Sequence, residues 1–288
     1  MGVKINKLVE DVKHEPNISD FTSKWVAIDA FNVLYSFLAT IRQYDGTPLM
    51  DSQGRITSHI SGFFFRNVYL LENRIKPVYV FDGKPPELKL DTVKERREIR
   101  DEAREKAKQA RKEGRVADAK KYAQASSKIE PYMIPGVKKL LTLMGIPYVE
   151  APSEGEAQAA HMVKNGEAYI VSSQDYDSFL FGAQNLLRNL TQQKQRRIRG
   201  KTYPITMELF LLDEVLEKLE ITREQLVDLG ILTGTDFNDN IKGVGQKTAY
   251  NLIKKHGSIE EIYKVKEEYE DVLPLQLVKQ VRKIFLEP

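Results

Sequence analysis

The stretch Trp25-Val26-Ala27-Ile28-Asp29 is short, apolar at successive positions and closed by an acid. A strand buried on both faces reads this way, whereas a surface helix would break the run with polar residues every third or fourth place. Working outward, Pro77 to Phe81, Tyr148 to Val149 and Ala168 to Ser172 repeat the pattern, and helical stretches such as Ile60 to Ile75 and Gly136 to Met144 lie between them. Strands alternating with helices predict an α/β fold: a twisted, mostly parallel central sheet with helices on both faces. Near Leu209 the spacing becomes helical, so the remainder is expected to be chiefly helices, the whole of 1–288 forming one domain.

Two segments depart from this pattern. Residues 84–130 hold 15 Lys and Arg against 10 Asp and Glu and few large apolar side chains. They predict a helical pair broken near Gly114 that buries little against a core and projects from the body. Residues 192–201 carry Lys194, Arg196, Arg197, Arg199 and Lys201 with no acid, a basic surface hairpin or loop.

Composition narrows the chemistry. No apolar run approaches the length that spans a bilayer, and residues 1–11 contain no signal-peptide core, so an intracellular chain without a membrane partner is expected. The absence of cysteine removes disulfides, thiolate zinc sites and cysteine nucleophiles. His14, His59, His161 and His256 stand singly without metal-ligand spacing. A metal held here must therefore sit on oxygen, which favours Mg²⁺ or Mn²⁺. The net charge of +3 is too small to establish a polyanionic partner, so its distribution carries the information.

That distribution is most informative at the strand ends. Asp29 follows the first run, Asp82 the second, and Asp175 and Asp177 the fourth; Glu154 and Glu156 follow the third, with Ser153 a candidate N-cap. Ligands of doubly wound sheets bind at the carboxyl ends of strands, so these acids converge on one crevice. Asp236, in Thr233-Gly234-Thr235-Asp236 after a helical segment, can complete the group. One Asp after a strand is usually an N-cap or turn residue. Seven acids in one crevice would repel and raise one another's pKa unless cations neutralise them, and a pair of divalent ions does so economically.

These motifs carry a family resemblance. Asp29 in Val-Ala-Ile-Asp-Ala, Asp82 in Val-Tyr-Val-Phe-Asp-Gly-Lys-Pro-Pro, Glu154 and Glu156 in Ala-Pro-Ser-Glu-Gly-Glu-Ala, Asp175 and Asp177 in Ser-Gln-Asp-Tyr-Asp-Ser, and Asp236 in Gly-Thr-Asp together resemble the flap endonucleases of the XPG-type structure-specific 5′ nucleases, archaeal members above all. The resemblance runs in order along the chain. It implies a PIN-like 5′ nuclease fold and a Mg²⁺-dependent endonuclease that cuts 5′ flaps at branched double-stranded DNA in replication and repair. It also implies two Mg²⁺ per site, replaceable by Mn²⁺, on Asp29, Asp82, Glu154, Glu156, Asp175, Asp177 and Asp236. By the same resemblance, Lys89 and Arg96 hold the scissile phosphate, Tyr35 stacks a terminal base, and residues 84–130 form an arch or gateway for the single-stranded flap.

Downstream, residues 226–256 read as helix, glycine turn, helix, with Lys242-Gly243-Val244-Gly245-Gln246-Lys247 between. Gly243 and Gly245 permit positive φ and close backbone approach, and the second helix N-terminus offers free N–H groups to a phosphate. The motif resembles the family's helix-two-turn-helix, which grips duplex and carries K⁺; Lys242, Lys247, Lys254 and Lys255 supply charge within the helical region 209–288. Arg42, in the loop 42–55, is carried over as a contact to upstream duplex. Phe63, Phe64 and Phe65 at helical spacing favour the core over a stacking platform. The sliding clamp (PCNA) is expected from the family alone, because its Gln-x-x-aliphatic motif is missing: Gln280 is followed at the third position by Lys283. A monomer is expected. A sibling 5′ exonuclease or junction resolvase shares every one of these acids, and a non-catalytic DNA-binding scaffold would keep only the glycine turn and basic patches.

Overall fold

A computed structural model describes residues 2–192, 195–198 and 201–287. Its strands are β1 (Trp25–Asp29), β2 (Lys76–Phe81), β3 (Tyr148–Glu150), β4 (Ile170–Ser172), β5 (Asn185–Arg188), β6 (Gln195–Ile198), β7 (Lys201–Pro204) and β8 (Glu208–Leu211). Six of them form one sheet in the order β3-β2-β1-β4-β5-β8. The five strands from β3 to β5 in that order are parallel, with Ile28 opposite both Tyr79 and Ser172, and β8 closes the edge antiparallel to β5. The chain builds β1, β2 and β3 outward on one side and then crosses to β4 on the other. The strand order therefore reverses between β1 and β4, and the crevice outside that point is where such sheets bind ligands.

Alternation along β1 explains why both faces are covered. Val26 and Ile28 enter a core with Tyr79, Phe81, Ile170 and Leu187, while Ala27 enters another with Val78, Val80, Val171 and Leu186. The helices Ala30–Thr40, Ser58–Glu72 and Met133–Leu143 close the first core. The helix Gly155–Lys164 and the C-terminal helices close the second. Of the three phenylalanines in series, Phe63 is fully buried, and Phe64 and Phe65 are exposed.

Three expectations need correction. Glu208–Leu211 is a strand, and the C-terminal helices begin at Leu212. Its apolar residues fit either period, and pairing with β5 decides the matter. Strand β5 was not anticipated, because Asn185-Leu186-Leu187-Arg188 offers only two apolar positions. Ser153 does not cap the helix at Gly155: Glu154 occupies the N-cap position, and the Ser153 carbonyl accepts the Gly83 N–H at 2.7 Å. The basic segment contributes β6 and β7, which pair antiparallel, while Lys194 and Arg199 lie outside the described residues.

The charged helical pair spans Leu90–Lys112 and Val116–Ala125, turning at Gly114 with φ +72°. The two helices pack on each other, and the buried residues of the pair are all alanine: Ala103, Ala107 and Ala110 on the first, Ala119 and Ala123 on the second. Recurrence every three or four residues gives each helix one methyl-lined stripe. The pair is thus better seated than its composition suggests. Arg42 donates to Ser127 Oγ at 3.0 Å beyond its end, and a Cβ on Gly46 would stand 3.0 Å from Lys120 Cα.

At the C-terminus, the helix Leu275–Leu286 is fastened by Arg282, whose Nε and Nη2 donate to the buried Asp228 carboxylate at 2.6 and 2.7 Å. Its Nη1 donates to Glu260 at 2.6 Å. Removing one member of such a network would strand a buried charge.

Candidate active site

Every predicted carboxylate lies at the carboxyl edge of the sheet or on a loop reaching it. Asp29 ends β1, and its Oδ1 accepts the Asn32 N–H at 3.0 Å. Asp82 follows β2, and its Oδ1 accepts the Gly155 N–H at 2.8 Å. A Cβ on Gly155 would stand 2.6 Å from that oxygen, so glycine is needed for the approach. Asp175 and Asp177 follow β4 and meet the N-terminal segment. The Gly2 N–H donates to Asp175, and the Val3 N–H to Asp177 Oδ1 at 2.5 Å. Glu156, in the first turn of Gly155–Lys164, has its Oε1 held by Ser173 Oγ at 2.7 Å and Ser178 Oγ at 3.3 Å. Asp236 arrives past the helix Arg223–Thr233, on a loop shaped by Gly234 at φ +88° and by Thr235 Oγ1 donating to Asn238 Oδ1 at 2.7 Å.

Desolvation and mutual repulsion act together here. Burial pushes Asp29 up to about 7, with Asp82 and Asp175 adding to the shift against hydrogen bonds from Asn32 and Phe31. Asp177 is likewise raised to about 7 by burial, opposed by the Val3 N–H and reinforced by Asp175 and Asp236. Glu156 rises well above the usual carboxylate range, first from burial and then from Asp177, Asp175 and Asp29. Asp175 is raised by burial and Asp236, against Arg96 and Arg188. Asp82 presents its surface to solvent at the crevice mouth, yet surrounding protein atoms desolvate its carboxyl and raise it. Glu154 rises for the same reason, less the pull of Lys89. These influences connect all seven carboxylates in one electrostatic network.

Lys89, just ahead of the helical pair, and Arg96, within its first helix, already answer that charge. Lys89 hydrogen-bonds Glu154 and lies 3.4 Å from Asp236, while Arg96 hydrogen-bonds Asp236. Burial would lower the Lys89 pKa, but Glu154, Asp236 and Asp82 outweigh it and keep the ammonium charged. Thr92 Oγ1 donates to the Asp236 carbonyl at 3.0 Å, tying the first turn of Leu90–Lys112 to that loop. One helical repeat beyond Arg96, Arg100 covers the Tyr35 ring at 4.5 Å.

The donor set suits a divalent cation. It is all oxygen, it repels itself, and Asp29, Asp82, Glu156, Asp175 and Asp177 each spend a hydrogen bond on a protein donor that fixes the carboxyl. Among the described residues no three of these groups already stand in closed ligand geometry; two amino-acid cations hold Glu154 and Asp236 instead. A metal that took Glu154 or Asp236 as a ligand would compete with Lys89 and Arg96 for it.

The outlying candidates fare differently. Lys242, Gly243, Gly245 and Lys247 are exposed between Arg223–Thr233 and Gln246–His256, and neither lysine forms an ion pair among the described residues. Gly243 has φ +84°, whereas Gly245 is extended at φ −97°, so only the first needs glycine's freedom. Arg42 is used internally: besides Ser127, it donates to the carbonyls of Leu38 and Gly46, both at 2.9 Å. Its guanidinium shapes the loop 42–47 and leaves little for a phosphate. Gly2, Val3, Gly155, Ser173, Ser178 and Thr92 escaped the sequence reading, because backbone donors and lone hydroxyls have no spacing signal. Gly155, set between two of the acids, was the one legible hint.

Comparison with known proteins agrees with this geometry. Residues 1–103 match the XPG N-terminal domain and residues 145–236 the XPG I-region. Flap endonuclease 1 of Sulfurisphaera tokodaii is 49% identical over 98% of this chain and 82% of its own length. That of Pyrococcus furiosus is 51% identical over 88% of this chain and 75% of its own. Among solved structures, flap endonuclease-1 from Methanococcus jannaschii superposes with a TM-score of 0.75 at 42% identity, over 100% of this chain and 85% of that one. The catalytic core of Rad2 with DNA substrate shares the fold, with a TM-score of 0.73 at 24% identity. With both XPG regions matched in order and half its residues shared with flap endonucleases over nearly its whole length, the chain belongs to the XPG nuclease family, among the flap endonucleases.

Proposed function

We propose that the crevice hydrolyses a phosphodiester at the junction of branched DNA bearing a 5′ single-stranded flap, with two Mg²⁺ held by the seven carboxylates. The observation that supports this most is the single electrostatic network of desolvated acids, met by Lys89 and Arg96 from the segment that opens the charged helical pair. Bound divalent ions would polarise the phosphodiester, supply hydroxide near neutral pH and balance the leaving oxygen. Asp82, Glu154 and Glu156 would serve one ion and Asp175, Asp177 and Asp236 the other, with the charge of Asp29 adding to both. Mn²⁺ would replace Mg²⁺ because its ligand preferences are similar.

The protein's own cations then change partners. Lys89 and Arg96, released from Glu154 and Asp236, turn to the scissile phosphate and hold it against the carboxylate edge. Tyr35, whose ring Arg100 now covers, offers its face to the terminal base. The pair Leu90–Lys112 and Val116–Ala125 stands where a flap passes the site. The turn at Gly243, Lys242, Lys247 and the N-terminus of Gln246–His256, with a K⁺ ion, grip downstream duplex through phosphates and so without regard to sequence. A monomer suffices for one junction. Clamp binding remains an expectation from the family that no motif in this chain supports. No helix among the described residues is long and apolar enough to cross a membrane.

Incubation with a labelled double-flap substrate in Mg²⁺ should release the flap, and EDTA should abolish release. Faster cutting of a blunt duplex or four-way junction would transfer the assignment to a 5′ exonuclease or a junction resolvase. Arg96→Ala should slow single-turnover cleavage by about 2 kcal/mol or more, the scale of losing one charge contact in the transition state. An undiminished rate would remove Arg96 from the chemistry.

A further inference from the structure

We infer that Ser173, assisted by Ser178, is a positioning residue that aims Glu156 at a divalent ion. The inference rests on the metal-site reading above and deepens it. Ser173 lies between β4 and Asp175, and Ser178 in the short helix Asp177–Leu180; they are 2% and 0% exposed. Both hydroxyls point to the same atom, Glu156 Oε1, at 2.7 and 3.3 Å.

A hydroxyl has one proton to give and lone pairs to receive. Ser173 uses both capacities, donating to Glu156 while accepting the Asp175 N–H at 3.3 Å. A chain of hydrogen bonds thus runs from the backbone of one acid to the side chain of another, across two different elements of the fold. The Glu156 carboxylate cannot rotate without breaking it, and its far end is anchored on the Asp175 backbone. Glu156 Oε2, with no protein donor among the described residues, is the oxygen left for an ion. Groups that orient a ligand in this way typically account for about 10–100-fold in metal affinity.

The test is titration calorimetry of the DNA-free protein with Mn²⁺. Ser173→Ala should weaken binding about tenfold, and Ser178→Ala should weaken it less, in keeping with its longer hydrogen bond. Ser173→Thr, which keeps the hydroxyl, should restore affinity. Flap affinity in EDTA should be unchanged in all three, which separates positioning from general damage. Equal Mn²⁺ affinity in wild type and Ser173→Ala would overturn the inference, as would an alanine variant whose flap affinity falls in parallel. Should Ser173→Ala fold poorly, Ser178→Ala and Ser173→Thr decide: Mn²⁺ affinity unchanged in the first, or not retained in the second, overturns it. Failure of the wild type itself to bind Mn²⁺ would sink the metal-site reading instead.

Discussion

Asp175→Ala should bind flap DNA with near-normal affinity in EDTA and leave it uncut in Mg²⁺. Asp175 stands beside Asp177 and Asp236 in the network and is held by the Gly2 N–H. Duplex contacts of the kind proposed at Lys242 and Lys247 lie on other elements, so binding survives. Losing an ion ligand should cost about 4 kcal/mol in single-turnover rate, roughly a thousandfold. A second result follows from the same electrostatics. Because Asp175 raises the pKa of Asp29, Glu156 and Asp177, its removal relieves repulsion. The metal-free variant should therefore melt at a higher temperature than the metal-free wild type. Turnover in Mg²⁺ at the wild-type rate would refute the role of Asp175, and a lowered metal-free midpoint would refute the repulsion.

Acid should stabilise the metal-free protein, a trend opposite to that of most domains. Asp29 and Asp177 titrate near pH 4 when unfolded and near pH 7 when folded. Between those values the folded chain binds more protons, so unfolding releases them and stability falls as pH rises. The contribution is complete at about pH 4 and gone above about pH 7. A loss of a few kcal/mol lowers the midpoint of a chain this size by roughly 5–10 °C. Glu260 behaves in the usual way: hydrogen bonds from Arg282 hold it at about 2, so its stabilisation disappears only below about pH 4, outside this window. Divalent ions favour the ionised carboxylates, so the Mg²⁺-induced rise in midpoint should be small at pH 5 and large at pH 8. Melting curves in EDTA and in Mg²⁺ across that range check this. A metal-free midpoint that climbs from pH 5 to 8 would contradict it.

The central strands were legible because burial on both faces leaves an uninterrupted apolar run, as in Val26-Ala27-Ile28. The acids were legible because a parallel sheet collects whatever follows its strands at one edge. Edge strands carry a weaker imprint. Glu208–Leu211 exposes one side, so its four residues do not distinguish strand from helix until β5 lies beside them. The devices that hold the acids were hidden for another reason. The Gly2 and Val3 amides donate to residues more than 170 positions away, and a backbone N–H is common to every non-proline residue. Arg42 shows the converse. A basic residue in a loop suggests a phosphate contact, and only the fold reveals that carbonyls and a serine occupy its donors.

The alanine seam between Leu90–Lys112 and Val116–Ala125 sets how readily those helices can part. Each methyl contributes only about 0.8 kcal/mol of burial, and separation would bare isolated methyls flanked by charge instead of a continuous greasy strip. Were the two helices to part, the surface bared would therefore be a poor one for other chains to adhere to. A leucine seam would fasten them more firmly, yet each opening would invite precipitation.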